Sequence, residues 1–507
     1  MRALLVTSVG VTCAAALTLP LATPAASAPA PHSASALPPS TSPASPGAGP
    51  PSVQAEATTM EALAPSDVRS AAEPAGSTQS LPLAPLDAPS DRVAGAPAAQ
   101  GLPQRDARPF SLVGVVWDDA EAELHGTVQV RTRATGTTRW SDWQDVETHN
   151  AEHAADLGSA EREGRTVRGA TAPLWVGDSD GVEVRVRPEA RDPQDRAATP
   201  VPLPEGMRLE LVDPGEGPGE ASGENPGEDS APEPARGAPA GRAAAVPARF
   251  ADTPATAAAL PEVLTAEVAA ASAVNAELAE IGATVIPALS RAETLESMEL
   301  APGAKPYIGP RPGIVTRKGW GADEKLREKN FGYTKTVKAA FVHHSATGNN
   351  YTCKQAPSVL RSIYRYHVKS SGWRDFGYNF AVDKCGNIYE GRAGGVTKAV
   401  LGAHTLGFNT NTMGIAVLGS YGSTNPPAAA VTAVSKLTAW KLGLFGRNPK
   451  GKITLVSGGS NKYKAGVKVK MNVISGHRDG FATECPGARL YKKLGKARTS
   501  SAKLQGR

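Results

Sequence analysis

The chain has 507 residues, of which 40% are hydrophobic and 20% are charged, and it contains 52 Gly and 43 Pro. A single compact domain is excluded, because this length is typical of two or three domains and the Pro and Gly content implies long linkers. The formal net charge of +5 conceals an asymmetry, since residues 311–507 hold 33 Lys and Arg against 8 Asp and Glu, about +25, and the rest carries about −20. Such a field favours an anionic partner, for example nucleic acid, a membrane surface or an anionic cell wall.

The N-terminus has the pattern of a secretory signal. MRALLVTSVGVTCAAALTLPLATPAASA contains one Arg, then an apolar stretch, then the small-residue site Ala26-Ser27-Ala28. This predicts a signal peptide over residues 1–28 and a secreted mature protein, extracellular or associated with the cell wall. No later stretch approaches eighteen consecutive apolar residues, so we expect no transmembrane segment.

The cysteines are few and odd in number once the signal is removed. Cys13 would leave with the signal peptide, and Cys353, Cys385 and Cys485 would remain in an oxidising compartment. Two of the three can pair, and the third needs another role. We expect Cys353 and Cys385 to form a disulfide and Cys485 to serve as a thiolate ligand.

Two segments have the composition of disordered linkers. Residues 29–105 are rich in Ala, Pro and Ser, and residues 215–310 are acidic and rich in Pro, Gly and Ala. Neither segment can bury enough apolar surface to offset the entropy of ordering it. Within the second, PEVLTAEVAAASAVNAELAEIG could form a helix on propensity alone.

Residues 106–214 show the period-two alternation of half-buried strands, in FSLVGVVWDD, TVQVRTR, GVEVRVR and GMRLELVDP. The pattern predicts an all-β sandwich as an accessory domain. Trp117, Trp140 and Trp143 could form a sugar-stacking platform, although a core role is commoner for Trp on strands. The GDSDG run at 177–181 lacks the distal Glu of a calcium loop and is interpreted as a turn.

Strand and helix patterns interleave over residues 311–495. KAAFVHHSAT predicts a buried strand, APSVLRSIYRYHVKSSG a helix, YNFAVD and NIYEGR a hairpin, MGIAVLGSY a second buried strand, PPAAAVTAVSKLTAWKLGLFG a helix and NVISGHRD a last strand. This order predicts an α/β domain with a mixed central sheet flanked by helices. Residues 496–507 are interpreted as a basic tail.

The stretch SGHRDGFATECPG places His477 and Cys485 eight residues apart. Imidazole and thiolate are zinc ligands, and three protein ligands plus water are the usual arrangement of catalytic zinc. By this spacing alone a structural or incidental pair is the commoner explanation, and a third ligand must come from elsewhere in the chain.

Four motifs occur in a fixed order: AFVHHSAT, YHVKSSGWRDFGYNFAVDKCGNIYEGR, GAHTLGFNTNTMGIAVLGSY and SGHRDGFATECPG. Together they resemble the zinc-dependent N-acetylmuramoyl-L-alanine amidases of the peptidoglycan recognition protein and amidase type 2 superfamily, over roughly residues 314–495. The resemblance implies that His343, His477 and Cys485 bind Zn²⁺. It also implies that zinc-activated water cleaves the amide between N-acetylmuramic acid and L-alanine of the peptidoglycan stem peptide.

The resemblance assigns helper residues as well. Tyr378 matches a tyrosine beside the zinc that orients water or donates to the tetrahedral oxyanion, with a core aromatic as the alternative. Thr483 stands where some members have Lys and others Thr, and would assist catalysis. The substrate groove is expected to include His344, Ser345, His367, Gly372, Trp373, His404 and Asn409. For His367 a packing role is equally plausible, and Gly372-Trp373 resembles a pair associated with diaminopimelate-type stems.

The leading hypothesis is a secreted peptidoglycan hydrolase, a monomer whose basic domain is attracted to anionic cell-wall polymers. One alternative is a non-catalytic peptidoglycan receptor on the same fold, but such members typically lack the Cys ligand that Cys485 supplies. Another is a nucleic-acid-binding module built on NPKGKITLVSGGSNKYKAGVKVKMN. That segment lacks the interleaved aromatics of a single-strand binder, so we expect no nucleic-acid partner.

Overall fold

The computed structural model describes residues 76–86, 99–148, 153–189, 201–218, 264–298, 300 and 306–507. The predicted signal peptide and much of both predicted linkers lie outside these residues. No segment in the described part of the chain forms a helix with the length and apolar character that crossing a membrane requires.

The N-terminal domain is all-β, which confirms the predicted sandwich. Its strands are β1 (Ser77–Pro82), β2 (Ala84–Pro85), β3 (Gln100–Trp117), β4 (Gly126–Ala134), β5 (Gln144–Val146), β6 (Gly169–Ala170), β7 (Leu174–Pro188) and β8 (Arg208–Asp213). They pair antiparallel in the order β1-β8-β3-β7-β4-β5, with β2 and β6 also on β3. A 3₁₀ turn at Ala160–Arg162 lies in the connection between β5 and β6.

The pairing of the long strands β3 and β7 carries register shifts, and both strands contribute to one hydrophobic core. Val113 and Val115 of β3 lie in this core with Val128 of β4 and Val184 of β7. Because side chains alternate along a strand, the neighbouring Leu112 of β3 faces the other way. That opposite face is also buried, but against the C-terminal domain.

Ordered structure begins earlier in the chain than the composition predicts. Disorder over residues 29–105 is wrong for residues 77–86 and 100–105, which include β1, β2 and the start of β3. The segment STQSLP has weak strand propensity, but it completes the backbone ladder of β8, and Ser80 Oγ donates to Glu210 Oε1 at 2.6 Å. Long-range pairing therefore overrides the local composition.

One interpretation of the N-terminal domain needs correction, and the core role that is commoner for a strand Trp is confirmed for Trp117. GDSDG lies inside β7 and is not a terminal turn, since Asp180 binds Arg133 across the sheet and Asp178 accepts from Ser111. Trp117 is buried in the core, and the Trp143 ring lies under the Arg185 guanidinium, 3.9 Å from its centroid. The three Trp therefore do not form one open platform.

The C-terminal domain has a seven-stranded mixed sheet, which confirms the predicted α/β class. Its strands are β9 (Val285–Ile286), β10 (Ile314–Val315), β11 (Ala339–His344), β12 (Phe380–Val382), β13 (Ile388–Glu390), β14 (Thr412–Val417) and β17 (Ile474–Gly476), with β15 (Lys452–Val456) and β16 (Lys468–Asn472) forming a separate hairpin. In the sheet they run in the order β17-β11-β14-β12-β13-β10-β9. Strand β11 is parallel to both of its neighbours, β14 and β17.

Helices cover both faces of this sheet. They are α1 (Ala266–Ala273), α2 (Arg291–Glu296), α3 (Ala356–Arg365), α4 (Ala428–Leu444), α5 (His477–Gly480), α6 (Ala488–Tyr491) and α7 (Leu494–Gln505), with a 3₁₀ turn at Cys353–Gln355 before α3 and a π-helix at Tyr366–Ser370 after it. One face packs mainly on α4 and α7, and the other on α3. The completely buried strand AAFVHH is typical of a central parallel strand.

The predicted boundaries of this domain are too narrow at both ends. Part of the predicted 215–310 linker folds onto it, because β9 pairs with β10 and Asn275 Nδ2 donates to Glu390 Oε1 at 2.9 Å. The predicted basic tail at 496–507 forms most of α7, whose Leu494 and Ala502 are buried. In the sequence, the charged residues of the exposed face of α7 obscure the helical pattern of the small and apolar residues that pack on α4.

The two domains share a hydrophobic core. Leu112, Val116 and Val212 of the N-terminal domain lie in one cluster with Ile363 and Tyr366 of the C-terminal domain. The Tyr366 hydroxyl donates to the backbone oxygen of Thr171 at 3.1 Å. A Cβ added at Gly114 would lie 2.4 Å from that hydroxyl, so the β3 backbone needs Gly there. Core-like packing makes this a stable interface and not a loose contact.

Candidate metal centre and active site

Two parallel strands bring the first pair of candidate ligands together. His343 lies near the end of β11, and His477 follows β17 directly as the first residue of α5. Because β11 and β17 are parallel, their carboxyl ends share one edge of the sheet, and the two imidazole centroids lie 4.5 Å apart. Both side chains are buried.

The third candidate ligand comes from the loop after α5. Cys485 is buried, and its Sγ lies 3.8 Å from His343 Nδ1. Thr483 Oγ1 accepts from the Cys485 backbone N–H at 3.1 Å, so this residue orients the loop that carries the thiol. The structure thus brings together the three residues that the family resemblance assigns to zinc.

A fourth donor, His153, joins them from the connection between β5 and β6 of the N-terminal domain. One ligand atom from each of His153, His343, His477 and Cys485 lies within 4.8 Å of the others, and we call this group the donor cluster. Sequence reasoning missed His153 because it lies 190 residues before His343 and has no motif spacing to it. The one available signal was a His in a connection that shows no strand or helix pattern.

The protonation states favour metal binding. Burial, and then neighbouring imidazoles, hold the pKa of His343 well below its ordinary value, and the same causes lower the pKa of His153. A neutral imidazole keeps a lone pair for a metal. Two or three imidazoles and one thiol, buried at mutual distances under 5 Å, form a donor set that suits zinc.

Tyr378 lies just before β12, and its side chain reaches the donor cluster. Its ring centroid is 5.3 Å from that of His343, and its hydroxyl is 3.3 Å from His153 Nδ1. The side chain is only 4% exposed, so the hydroxyl is held beside the donor cluster rather than in solvent. A phenol in this position can donate a hydrogen bond to an oxyanion that forms there.

Four of the expected groove residues contact the N-terminal domain. His344 Nε2 lies 3.3 Å from Glu147 Oε1, and Asn409 Nδ2 donates to the oxygen of Ala154 at 2.8 Å. The backbone oxygen of Trp373 accepts from Arg165 Nη1 at 3.3 Å. Gly372 has φ +79°, and a Cβ there would lie 2.2 Å from the oxygen of Thr166.

The other three expected groove residues are buried in internal contacts. His367 is stacked on Trp373 with centroids 4.4 Å apart, and its Nδ1 accepts from the Gly377 N–H at 3.2 Å. His404 Nδ1 lies 3.0 Å from Thr405 Oγ1. Ser345 Oγ accepts from the Gly419 N–H at 2.9 Å. These contacts support the walls of the site.

Cys353 and Cys385 are joined in a disulfide, with Cα atoms 6.2 Å apart. The bond ties the turn before α3 to the β12–β13 hairpin, and neither Cys belongs to the donor cluster. Closing a loop of 32 residues removes conformational freedom from the unfolded chain, worth about 3 kcal/mol in the chain-entropy model.

Comparison with known proteins follows the two-domain division. Residues 333–488 match the family described as N-acetylmuramoyl-L-alanine amidase, and residues 65–203 match the Rv3811 N-terminal galactose-binding domain-like family. Peptidoglycan-recognition protein SC2 of Drosophila simulans is 30% identical over 183 residues, which cover 36% of this chain and 84% of that protein. N-acetylmuramoyl-L-alanine amidase of Homo sapiens is 31% identical over 192 residues, 36% of this chain and 28% of that protein.

Among solved structures, wild-type Drosophila PGRP-LB has 26% sequence identity and a TM-score of 0.29, covering 36% of this chain and 91% of that one. On the sequence matches, the chain belongs to the peptidoglycan-recognition protein and type 2 amidase superfamily. The resemblance found in the motifs is therefore confirmed.

Proposed function

We propose that the protein is a secreted zinc-dependent N-acetylmuramoyl-L-alanine amidase, which hydrolyses the amide between N-acetylmuramic acid and the L-alanine of peptidoglycan stem peptides. The observation that carries the proposal is the convergence of His343, His477 and Cys485 at one sheet edge with Tyr378 beside them. The predicted signal peptide and the basic C-terminal domain support action on an anionic cell wall outside the cell.

His343 and His477 would hold the metal as neutral imidazoles and Cys485 as a thiolate. Zinc, when bound, supplies a Lewis acid that polarises a carbonyl and lowers the pKa of a water molecule toward neutrality. The Tyr378 hydroxyl donates a hydrogen bond to the oxygen that becomes negative as the amide carbonyl turns tetrahedral. Thr483 keeps the Cys485 loop in place through its bond to the Cys485 N–H.

The test is digestion of purified diaminopimelate-type peptidoglycan by the whole mature chain, with products analysed by mass spectrometry. Because His153 lies in the donor cluster, the His153→Ala variant is assayed in parallel. We expect free stem peptides and intact glycan strands, lost with a chelator and restored by zinc. Cys485→Ser should abolish release and lower the bound zinc, measured by elemental analysis.

The matched control is Glu484→Gln. Glu484 is the neighbour of Cys485, but its side chain is 82% exposed and pairs with Arg478 at the surface, so its removal should leave release unchanged. If both the wild type and His153→Ala bind peptidoglycan and neither releases stem peptides, the amidase is contradicted and the chain is assigned to non-catalytic recognition.

A further inference from the structure

The donor cluster contains one more protein ligand than a catalytic zinc site uses. Catalytic sites keep three protein ligands and leave a position for water or substrate, whereas four protein ligands close the coordination shell. The His153 ring lies 4.4 Å from the His477 ring and 5.1 Å from the His343 ring, centroid to centroid. Its Nδ1 also occupies the hydrogen-bonding position of the Tyr378 hydroxyl.

His153 begins a stretch of the N-terminal domain that contacts the C-terminal domain, and we call this stretch, residues 153–168, the covering segment. Its first anchor lies beside the donor cluster. Asp156 Oδ1 accepts from the Gly407 N–H at 2.7 Å and from Asn409 Nδ2 at 2.8 Å, and the oxygen of Ala154 accepts from the same amide at 2.8 Å. These three bonds fix the backbone on either side of Ala155.

The middle of the covering segment is held by charge. Glu161 pairs with Arg392, whose side chain is only 6% exposed. The guanidinium of Arg374 donates to the backbone oxygens of Glu161 and Glu163, each at 2.9 Å. Arg392 therefore has its carboxylate partner in the covering segment, and Arg374, which pairs with Glu328 of its own domain, also binds the backbone of that segment.

The end of the covering segment lies against the Gly372-Trp373 pair. Arg168 donates its backbone N–H to the oxygen of Ser371 at 3.1 Å, and Arg165 binds the oxygen of Trp373. Thr166 lies so close to Gly372 that only Gly fits there. A substrate that uses Gly372 or Asn409 would have to displace this segment.

We propose that the N-terminal domain keeps the C-terminal site latent, with His153 as the fourth protein ligand in place of water and the covering segment in place of substrate. The proposal rests on the proposed amidase function. The shared core around Tyr366 makes the docked arrangement the stable one, so the site opens only when the covering segment leaves it.

The test uses the whole mature chain loaded with Co²⁺, whose absorption spectrum reports the ligands around the metal. A small hydroxamate, which binds an open position on such metals, is titrated into the wild type and into His153→Ala. We expect a saturable response in His153→Ala, and in the wild type a response only at hydroxamate concentrations about tenfold or more higher. We also expect His153→Ala to weaken retention of zinc against a competing chelator, because one ligand is lost.

Hydrolysis of peptidoglycan by the zinc-loaded proteins is the second readout. If about a tenth or less of the wild type is open at any time, release from His153→Ala should be faster by about tenfold or more. Asp156→Ala removes two anchoring bonds without touching the donor cluster, so it should raise both the hydroxamate response and the rate by a smaller factor. Asp156→Ala also tests the proposal if His153→Ala fails to fold.

The matched control is His125→Ala, a change of the same kind at an exposed position of the same domain, which should behave as the wild type. An equal hydroxamate response in wild type and His153→Ala, with equal hydrolysis, would overturn latency while leaving the amidase standing. A response confined to His153→Ala, with no hydrolysis by any variant, would support the fourth ligand and refute the amidase.

Discussion

A role of Tyr378 in catalysis can be measured separately from metal binding, since its hydroxyl lies beside the donor cluster but Tyr378 is not one of the candidate metal ligands. Removing one donor to an oxyanion costs about 10²–10³-fold in kcat. We therefore expect Tyr378→Phe to reduce kcat by that order and to leave the zinc content unchanged. Stem-peptide release and elemental analysis check the two halves of this expectation.

The Tyr378 measurement is made in the wild type and in the His153→Ala background, so that latency does not mask the loss. Tyr389→Phe is the control, because it deletes another buried hydroxyl, bonded to Asp383 at 2.9 Å on the disulfide side of the sheet. Equal kcat in Tyr378→Phe and its parent would show that the hydroxyl does not contact the reacting carbonyl.

His367 should make the fold sensitive to acid. Burial, and then the charge of Arg392, lower the pKa of His367 from 6.5 to about 3. Between these values the unfolded chain binds more protons than the folded one, so stability is present above pH 6.5 and is lost as pH falls toward 3. At pH 4.5 this loss is on the order of 2–3 kcal/mol from this one residue.

The corresponding measurement is urea unfolding at pH 7 and pH 4.5, in metal-free protein so that loss of zinc does not contribute. We expect His367→Gln to lose less stability between the two pH values than the wild type, even if it starts from a lower value. His125→Gln, at an exposed site, is the control. Identical losses in the wild type and His367→Gln would show that His367 is protonated in the fold.

At the scale of elements, α7 is a structural helix of the C-terminal domain. Leu494 is 1% exposed in the core beside α4, and Gln505 Nε2 donates to the oxygen of Ala439 at 3.0 Å. The helix ends at Gly506 with φ +80°, a left-handed cap. A short helix with net positive charge is stable here because its small and apolar residues pack on a neighbour.

Leu494→Ala should therefore lower the free energy of unfolding by about 2–5 kcal/mol, as expected for a buried Leu. Gly495→Ala, one residue further along and exposed with open space around it, should not lower it, since Ala favours helix. Thermal unfolding of the two variants gives the comparison. Unfolding of Leu494→Ala at the wild-type temperature would mean that α7 is not packed in solution.

The strands β11 and β17 show how much of the site local sequence patterns can predict. The apolar runs before His343 and His477 predicted two buried strands, and the structure has β11 and β17 there. That both are parallel neighbours in one sheet depends on pairing between residues more than 130 positions apart. Local periodicity contains no information on such pairing, so the motifs could supply the ligand types but not their distances.

At the scale of the whole molecule, the shared core couples the two domains. Gly114→Ala would force a methyl group against Tyr366, which is fully buried, and such overpacking typically costs 1–3 kcal/mol, so about that loss is expected. Because the affected core belongs to both domains, we expect one calorimetric transition in the wild type, shifted to lower temperature in Gly114→Ala.

Gly422→Ala is the control, since that Gly is exposed and a Cβ there meets nothing within 4 Å. Two separate transitions in the wild type, with only the one of the N-terminal domain shifted in Gly114→Ala, would show that the domains unfold independently. That result would also weaken the case for a latent state that is stable by docking.

The α/β class, the all-β domain before it and the superfamily could all be predicted from the sequence, because strand periodicity and short motifs such as SGHRDGFATECPG are local properties of the chain. The order of β1 and α7, and the position of His153 beside His343 and His477, became visible only in the folded chain. These outcomes depend on which distant surfaces bury one another. A donor from a second domain has no characteristic sequence separation from the other donors, since its position at the site depends on how the two domains dock.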